Sequence, residues 1–146
     1  MNLSEANLLS HQERVTRWQL NMTLDLFVGF EQEPTGLEEF MQQQGYTSLQ
    51  RKKDDSGDHL IFERTDNPWP CVFYSPHIQK ADDPEDVPNW YRAGFSVVSE
   101  ANVNFHPEHF EEADRLTQLL VNKFTGILYD PGTDEYNGVL YDPDSE

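Results

Sequence analysis

The sequence predicts an α+β fold: a two-layer sandwich in which a mainly antiparallel sheet of about five to six strands carries two helices on one face. Three observations predict it. Apolar residues fill consecutive even positions at Trp18, Leu20, Met22, Leu24, Leu26, Val28 and Phe30. A second alternating run takes odd positions at Ala93, Phe95, Val97, Ala101, Val103 and Phe105, broken only by Ser99. Two other stretches, 36–44 and 107–124, space their apolar residues as a helix does. Alternate side chains share one face of a strand, so each long run is a strand with one buried face. At 146 residues and 36% hydrophobic composition the chain fills a single core, and 1–146 is one domain.

The elements follow in order. Residues 1–16 form a loosely attached segment, with Leu8, Leu9 and Val15 on one side of a short helix. After the first strand, Thr35-Gly36-Leu37-Glu38 has the capping-box pattern, and Leu37, Phe40 and Met41 give the helix an apolar side. Gly45 suits the left-handed residue that closes it. Residues 46–53 and 59–65 are strands around the turn-rich Asp54-Asp55-Ser56-Gly57-Asp58, and Cys71–Tyr74 is a short strand introduced by Pro68-Trp69-Pro70. The prolines at 76, 84 and 88 and the acids of 82–86 mark 76–89 as an acidic surface loop.

After the Ala93–Phe105 strand, Pro107 opens the second helix, where its missing N–H is harmless. Glu108, Glu111 and Glu112 lie near the positive end of its dipole. Gly126-Ile127-Leu128-Tyr129-Asp130-Pro131 leaves that helix and is nearly repeated by Gly138-Val139-Leu140-Tyr141-Asp142-Pro143. Residues 130–146 are therefore a short strand with turns and a frayed tail. The order β–α–β–β–β–β–α–β suits a ferredoxin-like variant with an added hairpin, in which the two long strands lie centrally.

Charge constrains partners. The chain has 10 Lys+Arg against 27 Asp+Glu, a formal charge of −17. The excess falls after residue 53, where 5 basic residues face 20 acidic ones. Such a surface repels phosphate, which excludes nucleic acid and anionic membranes and favours a basic protein. No apolar stretch approaches the roughly 20 residues of a membrane span. MNLSEANLLSHQER lacks the basic start and apolar centre of a signal peptide, so a cytoplasmic chain is expected. The single cysteine, Cys71, excludes an internal disulfide.

Catalytic patterns are missing. There is no G-x-S-x-G elbow and no phosphate-cradling G-x-x-x-x-G-K-[ST] loop. His106, His109 and Glu112 are weak metal candidates, because His106 precedes the helix and no H-E-x-x-H pattern accompanies them. No catalytic residue and no cofactor is expected. What remains is an interaction surface. Asp82, Asp83, Glu85 and Asp86 run straight into Trp90 and Tyr91, so acids would steer a cationic partner and rings would dock it. Trp69 is a second candidate ring, and Asp130, Asp134 and Glu135 a second acidic group. Trp90 and Trp69 could instead plug the open end of the sandwich.

The helix running into Gly126-Ile127-Leu128-Tyr129-Asp130-Pro131, on a small acidic α+β chain, resembles immunity-type proteins of bacterial toxin systems. That resemblance implies a non-enzymatic inhibitor, with a cognate toxin as the basic partner whose substrate-binding face it masks. It rests on this stretch and on general character, and transfers no residue roles. Two other classes compete. One is a small-molecule-binding or enzymatic domain with His59, Cys71, Tyr74 and His106 in a pocket between sheet and helices. The other is an oligomeric structural subunit pairing through a sheet edge, against the expectation of a monomer or weak homodimer.

Overall fold

The computed structural model describes residues 23–54, 57–78 and 88–140. The helix expected in 1–16, the Trp18–Met22 half of the first strand, the acids of 82–86 and the tail beyond 140 lie outside those residues. The elements are β1 (Leu24–Phe30), α1 (Leu37–Gln43), β2 (Tyr46–Asp54), β3 (Gly57–Arg64), β4 (Cys71–Ser75), β5 (Ser99–Phe105), a 3₁₀ turn at Pro107–His109, α2 (Phe110–Phe124), β6 (Ile127–Asp130), β7 (Glu135–Tyr136) and β8 (Val139–Leu140).

The strands form one sheet in the order β2-β3-β4-β5-β1-β6-β7-β8. Every neighbouring pair is antiparallel. The sheet is thus an α+β antiparallel one, with the two long-run strands, β1 and β5, at its centre. Its eight strands exceed the five to six expected. The additional ones are β7 and β8, two residues each, too short for alternation to announce them. Both β–α–β units are split: one strand lies between β5 and β6, and three lie between β1 and β2. A ferredoxin-like sheet places one strand inside each unit, so the meander β2–β3–β4–β5 is longer by two.

Cross-strand register explains the core. Leu26 opposes Val103 and Val28 opposes Ala101, while Val72 and Tyr74 of β4 reach the same two β5 residues from the other side. These side chains therefore share one face. Leu37 and Met41 of α1, with Ala113, Leu116 and Leu120 of α2, pack on that face in one buried cluster. Both helices lie on one side, as the apolar spacing requires.

Two element starts differ from expectation. Gly36, at φ 81, is the N-cap of α1, and no side-chain hydrogen bond caps it. The helix therefore begins one residue later than a Thr35 cap implies, at the left-handed glycine. Gly45 is left-handed as expected, at φ 89, and its N–H donates to the Gln42 carbonyl at 3.0 Å. The second correction is larger. β5 begins at Ser99, not Ala93. Trp90–Gly94 forms a helical turn, Gly94 takes φ 91, and Phe95–Val98 crosses back over the sheet. Ala93, Phe95 and Val97 do bury apolar surface, but against the face opposite the helices.

Leu116 is fully buried beneath α2. Leu116→Ala is expected to lower unfolding free energy by about 2–5 kcal/mol. In the same urea titrations, Phe110→Ala, at a half-exposed position of the same helix, should cost about 1 kcal/mol or less.

Candidate interaction surface

The face of the sheet away from the helices carries a second cluster. Phe27 of β1, Ile127 and Tyr129 of β6, and Tyr136 of β7 are buried there with Trp90. The segment 88–98 is the cover. Its turn is closed by three backbone bonds: Ala93 N–H to Asn89 O at 3.1 Å, Gly94 N–H to Tyr91 O at 3.0 Å and Phe95 N–H to Trp90 O at 2.8 Å. The Asn89 side chain accepts from the Arg92 N–H at 2.9 Å, and the Asn89 N–H donates to the Tyr136 hydroxyl at 3.2 Å. At the other end, Val98 N–H donates to Phe30 O at 2.8 Å and Ser96 N–H to the Glu31 carboxylate at 2.9 Å. The segment is thus tied at both ends to the strands beneath it.

Trp90 fixes its middle. The ring is 3% exposed and meets Tyr129 and Tyr136 edge-on, at centroid distances of 6.2 and 5.6 Å. It lies directly over Gly29, where an added Cβ would come within 2.9 Å of Trp90 Cζ2 and 2.8 Å of Val97 Cγ2. The indole Nε1–H donates to Glu100 Oε2 at 2.7 Å. Glu100 is half-buried. Burial pushes its carboxyl above the usual range, partly opposed by the indole hydrogen bond. Trp90 therefore plugs the sandwich and is not offered to a partner.

Tyr91, the next residue, points away at 67% exposure. The β6–β7 turn carries the second acidic group. Tyr129 stacks on Tyr136 at 4.4 Å, and its hydroxyl donates to Asp134 Oδ1 at 2.9 Å. Burial, then the Asp134 contacts, raise the Tyr129 phenol, which keeps that donor protonated. Asp130 accepts from Gly132 N–H at 2.9 Å, and Glu135 sits opposite Asp130 across the β6–β7 ladder. Asn137 closes the next turn: its Oδ1 accepts from Leu128 N–H at 2.8 Å and its own N–H donates to Leu128 O at 2.7 Å. Val139, which continues this face beside Tyr136, is 68% exposed.

The other candidates separate. Asp82, Asp83, Glu85 and Asp86 lie outside the described residues. Trp69 stands at the far end of β4, its half-buried ring edge-on to His106 at 4.5 Å. His106, His109 and Glu112 do not converge. His109 Nε2 is 3.3 Å from the Asn67 amide, and the Glu112 carboxylate is held by Arg115 at 2.9 Å and Arg64 at 3.6 Å. Among the described residues no group of His, Cys, Asp and Glu could hold a metal ion. The four pocket residues also fail to meet. Tyr74 faces the helices, whereas Cys71 and His59 belong to the opposite face by strand alternation. His59 contacts Ser75, four residues from Cys71, a distance of about 13 Å along the strand. Burial, then Glu63, push the Cys71 thiol up to about 11, so it is no thiolate nucleophile at neutral pH. No described helix is long and apolar enough to cross a membrane.

Sequence reasoning missed Glu100, Glu31 and Asn89, which hold the segment 88–98 in place. By residue type alone Glu100 and Glu31 do not differ from the chain's other acids. The available signal was Gly29: a glycine inside a strand pattern marks close approach of another group. Gly29→Ala is expected to destabilise the protein by about 1–3 kcal/mol by lifting Trp90 and Val97, and to raise the exposure of Trp90 in fluorescence quenching. Compared with known protein families, with characterised proteins and with solved structures, the chain matches none.

Proposed function

We propose that the chain is a non-enzymatic protein-binding module that engages a basic partner through the Tyr91 end of its sheet. One observation carries this reading. Two sequence segments far apart, 88–98 and 127–139, meet over one apolar cluster and leave Tyr91 of the first and Val139 of the second exposed; Asp134 reaches that cluster through the Tyr129 hydroxyl, while Asp130 and Glu135 stand on the same two strands with their side chains on the opposite face. An exposed aromatic ring on an acidic chain suits docking of a cationic surface: Tyr91 supplies area with little ordering entropy, and the carboxylates supply steering.

The charge of −17 supports the same choice of partner. By sequence, the acidic run of residues 82–86 leads directly into this segment and adds to the attraction. In its most specific form the module is an immunity-type inhibitor that occupies the basic face of a toxin. The pocket-based alternative has less support, because His59, Cys71 and Tyr74 do not share a side of the sheet.

The test is an NMR titration of the ¹⁵N-labelled chain with a Lys/Arg-rich peptide and with a neutral peptide of equal length. Shifts from the basic peptide should concentrate at 89–96 and 129–139, and affinity should fall about 10-fold or more on raising salt to about 0.5 M. Tyr91→Ala should weaken binding about 10-fold while leaving thermal stability nearly unchanged. Shifts spread evenly over the surface, or an affinity unmoved by Tyr91→Ala, would remove this proposal.

A further inference from the structure

Glu100 sits in an unusual position for a carboxylate. It projects from a central strand onto the face that 88–98 covers, and the indole of Trp90 is its hydrogen-bond donor at 2.7 Å. Its cross-strand neighbours are Gly29 on β1 and Ser75 on β4. Neither brings a charge. One strand further, the His59 ring shares a 3.1 Å hydrogen bond with the Ser75 hydroxyl, its backbone roughly 10 Å from that of Glu100 at two strand spacings, and beyond it Lys52 of β2 is the next residue of the row. Beyond Gly29 the row continues with Ile127 of β6. From 88–98 itself the facing group is Trp90, with Glu31 engaged separately on the Ser96 N–H. Arg92, the cation of the covering segment, is solvent-exposed, and among the described residues no ion pair to Glu100 forms, so no described cation offsets the burial of its ionised form.

We propose that Trp90 and Glu100 form a proton-operated latch: proton uptake by Glu100 fastens 88–98 to the sheet, and proton release loosens it. The proton is exchanged with solvent, and the carboxylate becomes a neutral carboxylic acid whose carbonyl oxygen still accepts from the indole. The sign follows from burial. A half-buried carboxyl held above its usual range favours the neutral form in the folded state. Its contribution to stability is fully present below the unfolded-state carboxyl value and is lost as pH rises through the raised folded value. Loosening moves Trp90 out of the Gly29 slot and with it the turn that presents Tyr91. As a control on docking, the latch rests on the function proposed above; as a motion of 88–98 it stands apart from it.

The experiment uses the full chain with Trp18→Phe and Trp69→Phe, which leaves Trp90 as the sole tryptophan, and reads acrylamide quenching without any partner. The quenching constant of Trp90 should rise about two-fold or more as pH is raised from the ordinary carboxyl range through the raised folded-state value. Glu100→Gln, neutral at every pH and still able to accept from the indole, should hold quenching at the low, acid-state value throughout, and its melting temperature should exceed that of its parent at pH 8 with the gap closing toward pH 4. His59→Gln should keep the parental profile. In the parent, NMR titration of the Glu100 carboxyl carbon should share its midpoint with the quenching curve, a check that needs no variant at position 100. A flat parental profile, a pH response retained in Glu100→Gln, a response abolished by His59→Gln, or separated midpoints would each overturn the latch. A working latch without basic-peptide binding would overturn only the docking function, and basic-peptide binding with a flat profile only the latch.

Discussion

The contact between the Trp90 ring and Gly29 organises the side of the molecule that the helices leave open. A strand residue with any side chain would hold the indole away, since the space a Cβ needs is already occupied by Trp90 and Val97. With the ring seated, Tyr129 and Tyr136 pack against it, and the segment 88–98 lies close enough for its backbone to bond to Phe30 and Glu31. The outward direction of Tyr91 is a geometric consequence, because it is the next residue on a helical turn whose inner side is Trp90. Burial on this face is therefore what creates the exposed feature beside it.

Charge is distributed with a related economy. Two of the described cations, Arg64 of β3 and Arg115 of α2, are turned toward one carboxylate, Glu112. Arg115 also donates to the Gln44 side chain at the end of α1, at 3.2 Å. These contacts tie the sheet, α1 and α2 together at one end. Exposed pairs of this kind contribute little stability individually.

Much of the architecture was legible because alternation is a strong signal when a strand is long and one-sided. Leu26, Val28 and Phe30, and Ala101, Val103 and Phe105, alternate in sequence and lie together in the core. The same signal misled at Ala93, Phe95 and Val97. Those residues bury apolar surface at the right spacing, but against the opposite face, and only the turn at Gly94 separates the two cases. A short strand was legible within 130–146, but its division into β7 and β8 was not, because two residues cannot show a period. The site was half legible. Tyr91, Asp130, Asp134 and Glu135 stood out by type, whereas the meeting of Trp90 with Tyr129 and Tyr136 depends on β1 pairing with β6, which no local pattern encodes.

The order of strands also governs when the sheet can assemble. β1 is the first described strand, yet both of its neighbours, β5 and β6, come from the later part of the chain; Leu24 pairs with Phe105 and Phe27 with Tyr129. During synthesis β2, β3 and β4 can zip as a local meander while β1 waits, its apolar edge unsatisfied, until residues beyond 100 have left the ribosome. Sequence-distant pairing of this kind slows folding and prolongs the time a sticky strand is exposed. The most vulnerable moment for this protein is thus the interval before its centre closes, and chaperone demand should follow β1.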